Sequence, residues 1–89
     1  MTDLSTTVRV TVRYFGAAAA AAGTESATVA VEAGISVADL TARLAEENPR
    51  LAEVLTRCSY LRDGVAVRDG AVALKSGQTV DVLPPFAGG

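Results

Sequence analysis

Histidine and tryptophan are absent from the 89 residues, and cysteine occurs once, at Cys58. Without histidine the chain lacks the commonest general base and the commonest metal ligand. A lone cysteine can neither close an intrachain disulfide nor build a cysteine cluster on a metal. Excess positive charge is missing too. The net charge is −2, with arginines interspersed among acids, and no basic stripe offers itself to nucleic acid. That balance is compatible with a protein partner carrying a basic surface. The longest uncharged apolar run, Tyr14 to Gly23, is too short and too rich in alanine to span a bilayer. Met1-Thr2-Asp3-Leu4-Ser5-Thr6 has neither the basic residues nor the apolar block of a signal peptide. The expectation is a cytoplasmic protein with no membrane role. No Ser/His/Asp arrangement, P-loop or GxGxxG is present, so the chain is poorly equipped to be an enzyme by itself. No metal site and no bound cofactor are expected.

What the sequence does contain is periodicity. Its length suits one domain with one modest core. Residues 1–6 read as a flexible, polar lead-in. From Thr7 the chain alternates strictly, with Val8, Val10, Val12 and Tyr14 on one side and Arg9, Thr11 and Arg13 on the other, the mark of a half-buried strand. Gly16 ends it. Ala17 to Ala22 predict one or two helical turns closed by Gly23 at C′. Ser26 to Val31 predict a second strand, antiparallel to the first.

Ser36 is a suitable N-cap for the clearest helix, with Asp39 near the positive helix end and Ile35 and Leu40 placed as a hydrophobic staple. Val37, Leu40, Thr41 and Leu44 share one face, while Asp39, Arg43, Glu46 and Glu47 read as a solvated face rather than a metal site. Asn48-Pro49 stops this helix, and Leu51, Val54 and Leu55 carry a second short helical piece to about Arg57. Cys58 to Arg62 then predict a strand. Asp63-Gly64 is a tight-turn signal, Val65 and Val67 a short return strand, and Val72 and Leu74 lead to a turn at Lys75-Ser76-Gly77. Gln78 to Leu83 predict the last strand, with Val80 and Val82 inward.

Two strands, a helix and shorter strands, joined by a right-handed crossover, place the last strand parallel to the first in the sheet centre. The expected fold is α+β, a β-grasp over residues 7–83, with a mixed sheet of about five strands and one main helix across it. Arg13 and Asp81 then fall opposite each other on neighbouring strands and predict an ion pair. Cys58 reads as a small buried hydrophobe and Lys75 as a solvated turn residue, while Tyr60 fits core and interface equally.

The stretch Leu83-Pro84-Pro85-Phe86-Ala87-Gly88-Gly89 stands apart. Pro84 and Pro85 fix their own φ and cannot donate to a ladder, and Pro85 also keeps Pro84 extended. Gly88 and Gly89 carry no Cβ and can thread a channel too narrow for a side chain. Residues 84–89 therefore read as an extended tail, a half-rigid stalk with one apolar bulge and a thin tip that ends in a main-chain carboxylate.

A β-grasp ending in this way resembles the ubiquitin-like sulfur carriers of the MoaD/ThiS family, over nearly the whole chain. Val8–Gly16 resembles the family's first strand, Leu74–Val82 its penultimate turn and last strand, and Leu83–Gly89 the tail of its molybdopterin-synthase branch. Two departures are visible. Many members carry an Arg-Glu pair where this chain has Ala17–Ala22, and the usual acid after the last-turn glycine is Gln78 here.

The resemblance implies that Gly89 is adenylated by an E1-like adenylyltransferase of MoeB type, which consumes ATP. A persulfide sulfurtransferase then supplies sulfur to make a thiocarboxylate. In the molybdenum-cofactor pathway a MoaE-type large subunit of molybdopterin synthase accepts it, and catalysis comes from the partners. It further implies that Gly88 and Ala87 pass a constriction in the partner, that Phe86 anchors in an apolar pocket, and that Pro84 and Pro85 lower the ordering cost of insertion. Leu83, with Tyr60 or Leu61 and with Arg13 or Arg62, would form the docking surface beside the tail. The same tail could serve another sulfur pathway such as thiamin or cysteine, act as a ubiquitin-like modifier joined to lysines, or be an inert end on a binding module.

Overall fold

The structure is a computed structural model that describes residues 7–85. The elements follow in the order β1 (Thr7–Tyr14), α1 (Gly16–Ala22), β2 (Ser26–Glu32), α2 (Val37–Glu47), α3 (Pro49–Leu55), β3 (Ser59–Arg62), β4 (Val65–Ala66) and β5 (Thr79–Leu83). The five strands form one mixed sheet in the order β2-β1-β5-β3-β4. β1 and β5 run parallel, with Val12 opposite Val80 and Arg13 opposite Asp81. The other pairings are antiparallel. This is the β-grasp expected from the pattern. Residues 1–6, expected to be a lead-in, lie outside the described residues.

Alternation fixes which face of each strand is buried. Val10 and Val12 on β1 and Val80 and Val82 on β5 are 0–1% exposed, all four on the face covered by α2 and α3. Leu40 and Leu44 come from α2, Leu51 and Leu55 from α3, and all four join the same core. Ser36 caps α2 as its sequence predicts, its side-chain oxygen accepting from the Asp39 N–H at 3.0 Å. Asn48 ends α2 and caps α3, accepting from the N–H groups of Arg50 and Leu51, with Pro49 at the first helical position where its missing N–H costs nothing. Asn48 Nδ2 also donates to Ala21 O at 3.0 Å, tying the α2–α3 junction to α1. The alanine run thus forms a helix of seven residues, closed by Gly23 in the left-handed region.

Several boundaries differ from expectation for local reasons. Gly16 belongs to α1 rather than standing between elements. Cys58 lies in the turn after α3, its N–H donating to Leu55 O, so β3 begins one residue later. β4 stops at Ala66, short of Val67, and Val72 and Leu74, which lead to the turn at Lys75-Ser76-Gly77, lie outside the strands. The segment they belong to is stitched to the start of α2 by Val37 N–H to Val72 O, Ala38 N–H to Gly70 O and Leu74 N–H to Ile35 O, with a single bridge between Ser36 and Ala73. Gly70 allows this close approach, since a Cβ on it would crowd Ala38 Cβ at 3.1 Å. Asp63 and Gly64 both have positive φ, 50° and 84°, as the tight turn between β3 and β4 requires. The Asp63 carboxylate also accepts from the Thr79 N–H at 2.9 Å, anchoring that turn to the start of β5. Gln78 keeps the preceding turn closed, its Oε1 accepting from the Lys75 N–H at 2.8 Å.

Leu40 sits 1% exposed at the centre of the helix–sheet interface. Leu40→Ala should lower unfolding free energy by about 2–5 kcal/mol, read as a shifted urea midpoint at constant slope. Asp39→Ala, on the exposed face of the same helix, should change it by less than about 1 kcal/mol.

Candidate functional site: the root of the tail

The tail leaves from the end of β5, and three elements surround that point. β1 ends there because it is parallel to β5. β3 begins there because it is antiparallel to β5, with Ser59 opposite Leu83. α1 opens there directly after β1, and the Phe15 N–H donates to Val82 O at 3.2 Å as the last link along the β1 edge. β5 is a central strand with partners on both edges, so a residue without an N–H ends pairing on both sides at once. Pro84 does this.

The two prolines do different jobs. Pro84 is buried and Pro85 is exposed. A Cβ added to Gly16 would lie 3.7 Å from Pro84 Cγ, so Pro84 packs against the opening of α1. The expectation gave both prolines to a free stalk. Pro84 instead belongs to the body, and the stalk starts at Pro85. Phe86, Ala87, Gly88 and Gly89, the remaining expected site residues, lie outside the described residues.

The surface beside the tail also differs from expectation. Tyr60 pairs with Val82 and Arg62 with Val80, so both point to the helix side of the sheet. Tyr60 donates its hydroxyl proton to Leu55 O at 2.9 Å, and Arg62 reaches Ala73 O at 3.3 Å. Neither belongs to the outer face. Leu61 and Leu83 do, beside Asp81 and Arg13.

Arg13 Nε lies 3.4 Å from Asp81 Oδ1, with the two side chains 52% and 14% exposed. The geometry is not that of a hydrogen bond, and Asp81 Oδ1 has no hydrogen-bond donor in the structure. The contact is therefore a proximity ion pair, screened on the arginine side and worth no more than about 0.2–1 kcal/mol. The same guanidinium stacks over the Phe15 ring at 5.2 Å, which holds Arg13 at the tail end of the sheet.

A second feature lies on the helix side of the root. Ala17 of α1, Val54 of α3, Arg57, Pro84 and Pro85 line an open hollow of about 230 Å³. Sequence reasoning passed over Arg57. The signal was available: β3 runs antiparallel to β5, so the residue two before Ser59 stands beside the residue two after Leu83.

Among the described residues no group of histidine, cysteine, aspartate and glutamate could hold a metal ion, and no helix is long and apolar enough to cross a membrane. Cys58 is half-buried, its Sγ 3.2 Å from Val54 O, and burial raises its thiol pKa, opposite to what a reactive thiolate needs.

A five-stranded mixed sheet with a helix laid across it, and a terminal segment leaving from the central strand, defines a ubiquitin-like β-grasp protein. The ThiS family model matches residues 12–89, and the chain belongs to that family. Among curated proteins, the molybdopterin synthase sulfur carrier subunit of Chlamydomonas reinhardtii is 30% identical over 83 residues, covering 92% of this chain and 100% of that protein. The HVO 2177 protein of Haloferax volcanii superposes with a TM-score of 0.86 at 30% identity, over 100% of this chain and 93% of that one. SAMP1 of the same organism superposes at 0.79 and 25% identity, over 91% and 99%. A chain from the complex of subunits 1 and 2 of the Helicobacter pylori molybdopterin-converting factor superposes at 0.69 and 26% identity, over 92% and 100%.

Burial, with a smaller contribution from Cys58, pushes the Tyr60 hydroxyl pKa up to about 12. A raised folded-state value means that the stability is fully present below the unfolded pKa of about 10 and is lost as pH rises towards the folded one. Urea midpoints should therefore fall as pH rises from about 10 to about 12. Tyr60→Phe should be flatter over that range and, at pH 7, less stable by about 1 kcal/mol for the lost hydrogen bond.

Proposed function

We propose that this protein is a sulfur carrier whose Gly89 carboxylate is converted to a thiocarboxylate for molybdopterin synthesis, as the small subunit of a two-protein synthase. The observation that carries the reading is the sequence Pro84-Pro85-Phe86-Ala87-Gly88-Gly89 following a central strand, in a chain of the ThiS family. Likeness to the Chlamydomonas carrier subunit and to a chain of the Helicobacter complex of subunits 1 and 2 supports the choice of pathway and of a second-subunit partner.

The chemistry follows from the carboxylate. With a pKa of roughly 3.3–3.7 it is ionised at neutral pH and is a poor electrophile. An adenylating partner joins it to the α-phosphate of ATP, releasing pyrophosphate and forming an acyl-adenylate. The terminal sulfur of a donor persulfide attacks the acyl carbon, and AMP leaves with the bonding pair. The resulting acyl disulfide is cleaved by a second thiol of the donor system, which forms a disulfide with the donor sulfur and releases the thiocarboxylate. That soft nucleophile then attacks the precursor in the large subunit, and hydrolysis of the acyl product restores the carboxylate. This chain contributes the acyl end, its reach and the surface that docks it. Bases, nucleotide binding and acceptor activation belong to the partners.

A second reading has its own support in the likeness to SAMP1, whose name stands for small archaeal modifier protein 1. As a modifier, the same activated Gly89 would be attacked by a lysine amine instead of a persulfide.

Incubation with ATP, the adenylating partner and a persulfide donor should raise the intact mass by the difference between sulfur and oxygen. Deletion of Gly89 should abolish the gain. Absence of the gain, with lysine-linked adducts on a denaturing gel that require Gly89, would replace the carrier reading by the modifier one.

A further inference from the structure

The hollow beside Pro85 has a composition that the sulfur chemistry alone does not require. Its floor is apolar, from Ala17, Val54, Pro84 and Pro85, and its one charged wall is Arg57. Arg57 is exposed, and no ion pair to it is present among the described residues. It stands just beyond the C-terminal end of α3, and its backbone is held by its N–H to Val54 O at 3.0 Å. Its placement at the rim is therefore a property of the fold.

Reach makes this rim part of any docked complex. Resting on the reading that Gly89 is the reacting end, residues 86–89 are all that separates Pro85 from the chemistry. Four extended residues span at most roughly 14 Å. A partner that encloses Gly89 in a site shielded from water must then approach the surface around Pro85. It covers Arg57 when it does, and a guanidinium taken out of water without a counter-charge is strongly unfavourable.

We propose that this hollow seats an apolar side chain of the partner that takes the tail, and that a carboxylate next to that side chain pairs with Arg57. The occupant is thus a short apolar-plus-acidic element on the rim of the partner's tail channel. The site lies on the helix side of the root, on the opposite side of the sheet from Leu61 and Leu83. It gives the carrier two faces from which to be held, one polar and sheet-borne, the other apolar with a single positive charge.

The test is titration calorimetry of the full chain against the purified synthase large subunit from the same source. Arg57→Glu and Ala17→Gln are compared with Arg43→Glu, a charge reversal on the exposed side of α2. Arg57 and Ala17 are both exposed, so thermal midpoints should stay close to the native value. Arg57→Glu and Ala17→Gln should each weaken binding about tenfold or more, and Arg57→Glu should also flatten the loss of affinity with added salt. Arg43→Glu should bind as the native chain does. If either rim variant binds like the native chain, or if Arg43→Glu weakens binding as much, the inference is overturned while the carrier reading stands. If the native chain does not bind the large subunit at all, both fall together.

Discussion

The parallel pairing of β1 with β5 is the constraint on which the rest of the molecule depends. Parallel neighbours cannot be joined by a tight turn, so the chain between them must cross over one face of the sheet. α2 and α3 make that crossing, and their apolar stripes meet the valines of the two central strands. The consequence reaches beyond packing. Parallel strands end at the same pole, so the end of β5 lies beside the end of β1 and the opening of α1. The end of β1 and the opening of α1 are brought to the tail root by this one pairing. The antiparallel β3 then adds its own beginning to the same pole.

Pro84 and Pro85 show how one local rule acts twice with different results. Both lack an N–H, so neither can extend β5 towards β1 or β3. Pro84 is still within the body and fills space against Gly16, while Pro85 is the first residue in the open. The tail is thus clamped at a defined point rather than hinged somewhere along a loose end. A fixed exit point with a pre-extended first residue loses less freedom on insertion than a free chain of the same length.

Strand identity, helix caps and sheet order were legible because each rests on local chemistry that repeats. Val8-Val10-Val12-Tyr14 alternates, Ser36 precedes a run of helical period, and Asp63-Gly64 demands positive φ. The Arg13–Asp81 pairing followed from topology plus period, with no further information. The side-facing of Tyr60 and Arg62 was less legible. Their strand is four residues long, and its parity is set by its register against β5, which neither residue encodes. The pairing of the segment around Val72 was not legible for another reason. Its backbone partners are the first turn of α2, and a helix start can satisfy such a segment as well as a strand can. The burial of Pro84 was hidden because the residue that receives it, Gly16, is distant in sequence and has no side chain to announce a contact.

The charge distribution at the tail pole follows from the same geometry. Asp81 is already neutralised by Arg13 across the β1–β5 register, and the arginine is steadied by Phe15. Among the described residues no ion pair is made to Arg57, and the residues that continue β5 beside it are prolines. A strand ending in Pro-Pro cannot present a carboxylate at that position. In the isolated chain water compensates for this. In a complex that excludes water, the compensation must come from the other molecule. The sequence that ends the strand and starts the stalk therefore also sets the place where the proposed partner carboxylate would meet Arg57.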